Sequence, residues 1–545
     1  MGASLSPGPT FRRRRTRIFA PIIAIATTLA AAGSNHRHVA SAYVYTGLPA
    51  HTHRAFLQKL TDDLCSSEPG CLSQEDVLKT PRLMSALATA PDKSNRVHDE
   101  SGVERALSVE RLLKRMIDER IAGNNDAVLT TDDYNSLMMA WANSGDTCDA
   151  ALRVEEILVT MQDLYNDGEE DVQPDENSFR IAVETWSNVV GEPHSMARAQ
   201  QILDWMVQLY QNGDNDRAKP TTSCFYPLFK AWAKSGKLEA PIMSEHLIMS
   251  MQHLQNTQDL SSARPDTMCF NYVVRSWIKS GDITSENKIR QVFEYMDDCR
   301  RRGCTYISPD ASTYNMLVSS IGVSVKRDSE AGGARRADKL LRRMEQGFLA
   351  GDESLRPDTI IYNQVIDYWA KTQSVHGHYL KARDVLDRQI SVYRENNVRK
   401  CRPDTRSYTS VIGACASTYG SKMERRRSFN VAHRTFLEMC KNDYPTQPND
   451  VTYGLMFKAT GRLLHKQEER DRYARTLWSL ACDDGYLGEM AFNRFKEAAS
   501  DELFGELTKN RPNYADLPSD CTCNAKLSPR QKSMRPKDNG KRLLP

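Results

Sequence analysis

One short pattern constrains this chain more than any other feature. A residue that is Pro in every copy but the first stands five positions before an aromatic, and the pair recurs eight times. The copies are Leu129 with Tyr134, Pro174 with Phe179, Pro220 with Phe225, Pro265 with Phe270, Pro309 with Tyr314, Pro357 with Tyr362, Pro403 with Tyr408 and Pro448 with Tyr453. Successive copies are separated by 45, 46, 45, 44, 48, 46 and 45 residues. A period this even is the signature of stacked structural repeats. In such an array each unit packs on its neighbours, and similar side chains line one long surface.

Within one copy the pattern is helical. After Pro265, the apolar residues Phe270, Val273, Val274 and Trp277 fall at i, i+3, i+4 and i+7, and Gly281 follows. That spacing predicts one face of a helix, opened by Pro and closed by Gly. Ile289, Val292, Phe293 and Met296 predict a second helix ending near Gly303. Two further columns keep the register: Trp141, Trp186, Trp232, Trp277 and Trp369 in the first helix, and Met161, Met206, Met251, Met296, Met344 and Met439 in the second. Both columns read as core packing. The expected fold is all-α, a right-handed superhelical solenoid of helix-turn-helix units. Polar inserts such as 167–173 and 211–219 read as loops along one edge.

Charge is segregated. The net charge is +3, but residues 1–42 carry six Arg and no acid, and 505–545 carry nine basic residues against four acidic ones. The body, 43–504, is therefore negative by about eight charges. An acidic body argues against indiscriminate phosphate binding and requires local basic positions for any polyanion. The 13 Cys are scattered through helix patterns with no disulfide or zinc spacing, which predicts a reducing compartment.

The amino terminus reads as a delivery signal. Arg12 to Arg15 and Arg17 precede an apolar run from Ile18 to Ala32, too short for a comfortable membrane span. The string Ala40-Ser41-Ala42-Tyr43 is similar to the cleavage motif of bipartite targeting sequences in algae with secondary plastids, with Tyr in place of the usual Phe. Residues 43–61 contain Arg54, Lys59 and no acid before Asp62, as a transit peptide would. The expected location is a plastid, with the mitochondrion or the secretory pathway as alternatives, and no stable membrane association after cleavage.

Segments such as Pro309-Asp310-Ala311-Ser312-Thr313-Tyr314-Asn315 and Pro357-Asp358-Thr359-Ile360-Ile361-Tyr362-Asn363 resemble pentatricopeptide repeat proteins over about 129–495, although these repeats run some ten residues longer. The resemblance implies a single-stranded organellar RNA ligand, with one base read per repeat by two side chains. Four repeats carry an Asn/Asp pairing that in the family looks like a uracil reader: Asn135/Asp175, Asn271/Asp310, Asn315/Asp358 and Asn363/Asp404. Thr409/Asn449 resembles an adenine reader, while Arg180/Thr221 and Tyr226/Asp266 match no familiar pairing. The implied strand is pyrimidine-rich, of the form U-n-n-U-U-U-A. Lys234, Lys279, Lys371 and Arg462 stand where the family approaches phosphates, and Met268, Ile360 and Val451 where it stacks bases. The same Asn and Asp columns also suit helix starts, where local hydrogen bonds and the helix dipole favour them.

No nucleotide-binding Gly-rich loop, deaminase zinc pattern or nuclease cluster is present, so no enzyme activity and no cofactor are expected. The expected organisation is a signal peptide (1–42), a transit-like segment (43–61), a helical cap with a half-repeat (62–128), the array (129–504) and a basic, disordered tail (505–545). Binding of RNA in support of its processing, stability or translation is the expected role, with processing or translation factors as partners. The alternative is a helical-repeat scaffold for another protein.

Overall fold

The computed structural model describes residues 50–525 apart from 90–99, 146, 190, 259, 283, 326–331, 373–374, 397–398, 442–445 and 510–512. The expected signal peptide, the expected transit-like segment up to residue 49 and the stretch from 526 onward lie outside the described residues. The chain divides into two compact units, 1–63 and 64–545. Of the first, the described part belongs to helix α1 (Ala50–Cys65), whose last two residues fall in the second unit.

The second unit begins with α2 (Gln74–Thr89) and α3 (Glu100–Ile121). Eight helix pairs follow: α4 (Thr131–Ala142) with α5 (Cys148–Asn166), α6 (Glu176–Asn188) with α7 (Ser195–Asn212), α8 (Thr222–Ser235) with α9 (Ala240–Gln258), and α10 (Thr267–Ser280) with α11 (Ser285–Arg301). They continue as α12 (Ala311–Val325) with α13 (Gly332–Leu349), α14 (Thr359–Lys371) with α15 (His378–Asn396), α16 (Thr405–Ala416) with α17 (Lys422–Cys440), and α18 (Asp450–Leu463) with α19 (Gln467–Asp483). Helices α20 (Glu489–Ala498), α21 (Asp501–Thr508) and α22 (Ser519–Thr522) close the array. The first helix of each pair, here the A helix, packs on its own B helix and on the A helices of the flanking repeats. Among the described residues there is no strand. The protein is an all-α solenoid.

The period is a capping period. Asp175, Asp266, Asp310, Asp358 and Asp404 each accept a hydrogen bond from the backbone N–H three residues on, and Asn449 does the same from Thr452. Each such cap is worth about 1 kcal/mol, and a carboxylate there also meets the positive end of the helix dipole. At the other end, Gly236 and Gly281 adopt φ of 66° and 67° and close α8 and α10 in the left-handed conformation that favours glycine.

The core columns pack as the periodicity requires. The six column methionines are buried, as are Trp186, Trp232, Trp277 and Trp369, whereas Trp141 is half-buried. The inserts differ from the plain loops expected. Two residues before each anchor stand Ala127, Val172, Ala218, Ala263, Ile307, Leu355, Cys401 and Thr446, and all are buried. Several of these plugs sit in short 3-10 turns, at Glu170–Val172, Ser261–Ala263, Glu353–Leu355 and Arg399–Cys401. One small or apolar side chain per turn thus pins each insert to the core. At the far end, α21 runs across the 504/505 boundary, and the Leu487 N–H donates to the Cys521 carbonyl at 2.9 Å. Residues 519–524 therefore lie back against the end of α19 and its following turn.

Candidate nucleic-acid interface

Each A helix carries one stripe built from the third, sixth, tenth and fourteenth residues after the anchor. Spacings of three, four and four keep these positions on one helical face. In α10 the stripe is Met268, Asn271, Arg275 and Lys279; in α14 it is Ile360, Asn363, Asp367 and Lys371. The first position is open to solvent. Met268, Ile360 and Val451 are 50%, 62% and 40% exposed, large apolar side chains left uncovered on the same face.

The second position holds the Asn column, and here the structure adds what the sequence did not reveal. Every Asn of the four Asn/Asp pairs donates through Nδ2 to its own partner carboxylate across the repeat junction. The distances are 3.2 Å for Asn135–Asp175, 3.3 Å for Asn271–Asp310, 3.1 Å for Asn315–Asp358 and 3.1 Å for Asn363–Asp404. In three junctions a hydroxyl at the third residue of the next A helix closes the network. Ser178, Thr313 and Ser407 donate to Oδ1 of Asn135, Asn271 and Asn363 at 2.7, 2.6 and 2.7 Å. In the fourth junction that residue is Ile361, and Oδ1 of Asn315 is buried with no hydrogen-bond partner. Asn135 and Asn363 are each only 5% exposed. The Asp caps beside them are more open.

The remaining pairs are also engaged. Tyr226 donates its hydroxyl to Asp266 at 2.5 Å, and burial together with that carboxylate pushes its pKa well above the ordinary phenol value. Thr409 is buried and bonds through its hydroxyl to Thr452, which in turn donates to the Asn449 cap. Arg180 forks to Asn177 and Glu184, while Thr221 donates to Glu176. The four Asn/Asp pairs and Tyr226/Asp266 therefore meet directly across repeat junctions, Thr409 and Asn449 meet through Thr452, and Arg180 and Thr221 do not bond to each other.

At the fourteenth position Lys234, Lys279 and Lys371 stand exposed in the last turns of their helices, without an ion-pair partner among the described residues. Lys230 and Arg275, one turn earlier, are likewise exposed and unpaired. Arg462 is half-buried, its guanidinium 4.7 Å from the centroid of the Tyr419 ring. Other members of the position serve packing instead: Asn143 donates to the Ala88 carbonyl and Ser417 to that of Gly413.

The charge balance of the body is explained on the opposite helices. Arginines of the B helices bond carboxylates of the neighbouring B helix, or of α3 and α21 at the two ends, in a ladder: Arg153–Glu110, Arg198–Glu155, Arg343–Asp297, Arg388–Glu345, Arg383–Glu438, Arg426–Glu469 and Arg475–Glu506. Partners lie 31 to 55 residues apart, so no local pattern announced them. Many carboxylates are thus engaged on the B helices, while Lys230, Lys234, Arg275, Lys279 and Lys371 stand unpaired on the A helices. A second missed series joins the repeats through their backbones. Thr131, Thr222, Thr267, Thr359 and Thr405 donate to the carbonyl that precedes the next Pro anchor, at 2.7, 2.8, 3.0, 2.7 and 3.3 Å. The recurrence of Thr two residues after the anchor was the available signal.

Among the described residues no group of three or more His, Cys, Asp or Glu is placed to hold a metal, and no helix is long and apolar enough to cross a membrane. The class defined is a helical-repeat solenoid with a recurrent polar face. No protein-family model and no curated protein matches the chain. Among solved structures it is similar to the crystal structure of the pentatricopeptide repeat protein PPR10 from maize, at 14% identity and a TM-score of 0.31, over 85% of this chain and 72% of that one.

Proposed function

We propose that this protein binds single-stranded RNA along its A-helix face. The observation that carries the reading is the recurrence, on one stripe, of an exposed apolar residue, an Asn amide paired to a cap carboxylate, and an unpaired cation at the rim. An Asn amide has two N–H donors, and each Asn of the four pairs donates to a single carboxylate, so a donor remains for a pyrimidine edge. Bases held against Met268, Ile360 or Val451 would lose apolar exposure on both sides, and the lysines would meet the backbone phosphates. The proposed strand is U-n-n-U-U-U-A, in support of transcript processing, stability or translation in a plastid. An occupied strand is held extended, so it can neither pair nor be degraded there.

The sequence preference is tested by anisotropy titration of that strand against its complement. A preference of tenfold or more is expected, and equal affinity would end the base assignment. Fusing residues 1–61 to a fluorescent protein in an alga with a secondary plastid tests the destination. Burial of Asn135, Asn363 and Thr409 favours a second reading, a scaffold for another protein in which those side chains serve the repeat junctions alone. Replacing Lys234, Lys279 and Lys371 by Gln separates the two. RNA binding should weaken and lose about 2 from its log–log salt slope, at ~0.7 per phosphate contact on a single strand; a protein ligand docked elsewhere would not notice.

A further inference from the structure

The turns between the A and B helices of repeats 7 and 8 gather cations that make no ion pair among the described residues. Lys422 and Arg425 stand in the first turn of α17, and Arg470 in the first turn of α19. None of the three side chains has an ion pair or hydrogen bond among the described residues. The Nε atoms of Arg425 and Arg470 are buried without any partner. Three nearby carboxylates are engaged elsewhere: Glu424 faces His376 at 3.2 Å, Glu469 is bound by Arg426, and Asp471 accepts from Gln467 and from the Ser500 N–H. Glu468, exposed in the first turn of α19, pairs with none of the three cations. Arg462, held against Tyr419, closes the group from the end of α18.

Local physics opposes this arrangement. The first turn of a helix carries the positive end of its dipole, so Lys422, Arg425 and Arg470 are placed where cations are disfavoured. They also repel one another and their surroundings. His465, in the same turn, is held below the ordinary imidazole value by desolvation and by the charges of Arg425, Lys422 and Arg470. Lys458 is likewise pushed down by burial and by Arg462 and Arg494. Planar guanidinium groups suit phosphate oxygens, and backbone N–H groups at helix starts add to the attraction. A ligand that supplies several anionic oxygens at once would relieve all of these costs.

We propose that Lys422, Arg425, Arg470 and Arg462 form a binding site for successive phosphate groups, supplied by the backbone of the RNA strand where it leaves the last repeats. The proposal rests on the RNA reading above. The site acts without regard to base, so it raises affinity for every sequence equally and anchors one end of a strand whose identity is read elsewhere.

The test uses the full chain and a fluorescein-labelled 20-nucleotide single-stranded RNA, titrated between 50 and 300 mM NaCl. K422Q/R425Q/R470Q should bind about tenfold more weakly at the middle of that range, with a log–log salt slope smaller by about 2, since each phosphate contact on a single strand contributes ~0.7. The single variants should each remove about one third of that slope, which keeps the result readable if the triple variant loses helical signal. The preference for the U-rich strand over its complement should be unchanged. Equal affinity and equal slope in all variants would overturn the site while leaving the RNA reading intact. A parallel titration with inorganic tripolyphosphate, followed by the His465 imidazole resonance, separates the two ideas. If the wild type ignores RNA yet tripolyphosphate shifts His465 in the wild type alone, the phosphate site stands and its RNA source falls with the RNA reading.

Discussion

Replacing Asn363 and Asn315 by Ala, one at a time, should have unequal consequences although both residues occupy the same place in their repeats. Asn363 is 5% exposed, accepts from Ser407 at 2.7 Å and donates to both Asp404 oxygens at 3.1 and 3.3 Å. Removing it deletes one neutral hydrogen bond, worth about 1 kcal/mol, and one to a charged group, worth about 1.5–3 kcal/mol. Ser407 keeps its bond to Asp404 at 3.0 Å, which limits the damage. The expected cost is about 2–3 kcal/mol. Asn315 makes the same donation to Asp358 at 3.1 Å, but its Oδ1 is buried opposite Ile361 with no donor. Deleting it removes that orphaned acceptor, whose burial costs about 1–3 kcal/mol. The gain offsets the lost bond, and N315A should lie within about 1 kcal/mol of the parent. Because a repeat array opens piecewise, the assay is native-state hydrogen exchange of α12, α14 and α16 and not one global midpoint. Equal destabilisation by both variants would refute the view that the Asn column works by closing a three-member junction.

Other perturbations follow from the same contacts. Asp297, on α11, is buried, and hydrogen bonds and charges from Arg343 and Arg301 outweigh that burial and hold its carboxyl below the ordinary value. Its stabilising share is complete above pH 3.8 and is lost as pH falls through the depressed folded value. D297N should therefore cost about 2 kcal/mol at pH 7, between an exposed pair and a buried one because both arginines stay half in solvent. The difference from the parent should vanish in acid; a penalty independent of pH would contradict the assignment. T359V should weaken the α14–α16 junction by about 1 kcal/mol through loss of the bonds to Lys400 and Arg402, with unchanged helix content by circular dichroism. Burial pushes the thiols of Cys401 and Cys415 up to about 12. In the native protein they should resist a thiol reagent that labels the exposed Cys71 and Cys523 at once.

Much of this architecture is legible in the residues themselves because its determinants are local. Pro and Asp open a helix within a few positions, and the Trp and Met columns record which side of each helix is covered, so period, helix pairing and core all follow. The junctions are less legible. An Asn that meets Asp some 40 residues later looks the same in a list whether it faces RNA or its neighbour. The hydroxyls of Ser178, Thr313 and Ser407 acquire meaning only once the repeats are stacked. The plugs at Val172, Leu355 and Cys401 hide in polar inserts because a single apolar residue per turn makes no periodic pattern. The B-helix ladder and the cation group at Lys422, Arg425 and Arg470 depend on which charges find partners, and composition cannot sort paired from unpaired.

The claim that RNA occupies the A-helix face is tested most directly by position-resolved crosslinking. A U-n-n-U-U-U-A strand carrying 4-thiouridine would be irradiated with the full-length protein, and the modified residues identified by mass spectrometry. The account predicts adducts on the A-helix stripe, at or beside Met268, Asn271, Asn315 and Ile360, in an order that follows the repeats. Adducts confined to the B-helix ladder, or spread over both faces without order, would contradict it.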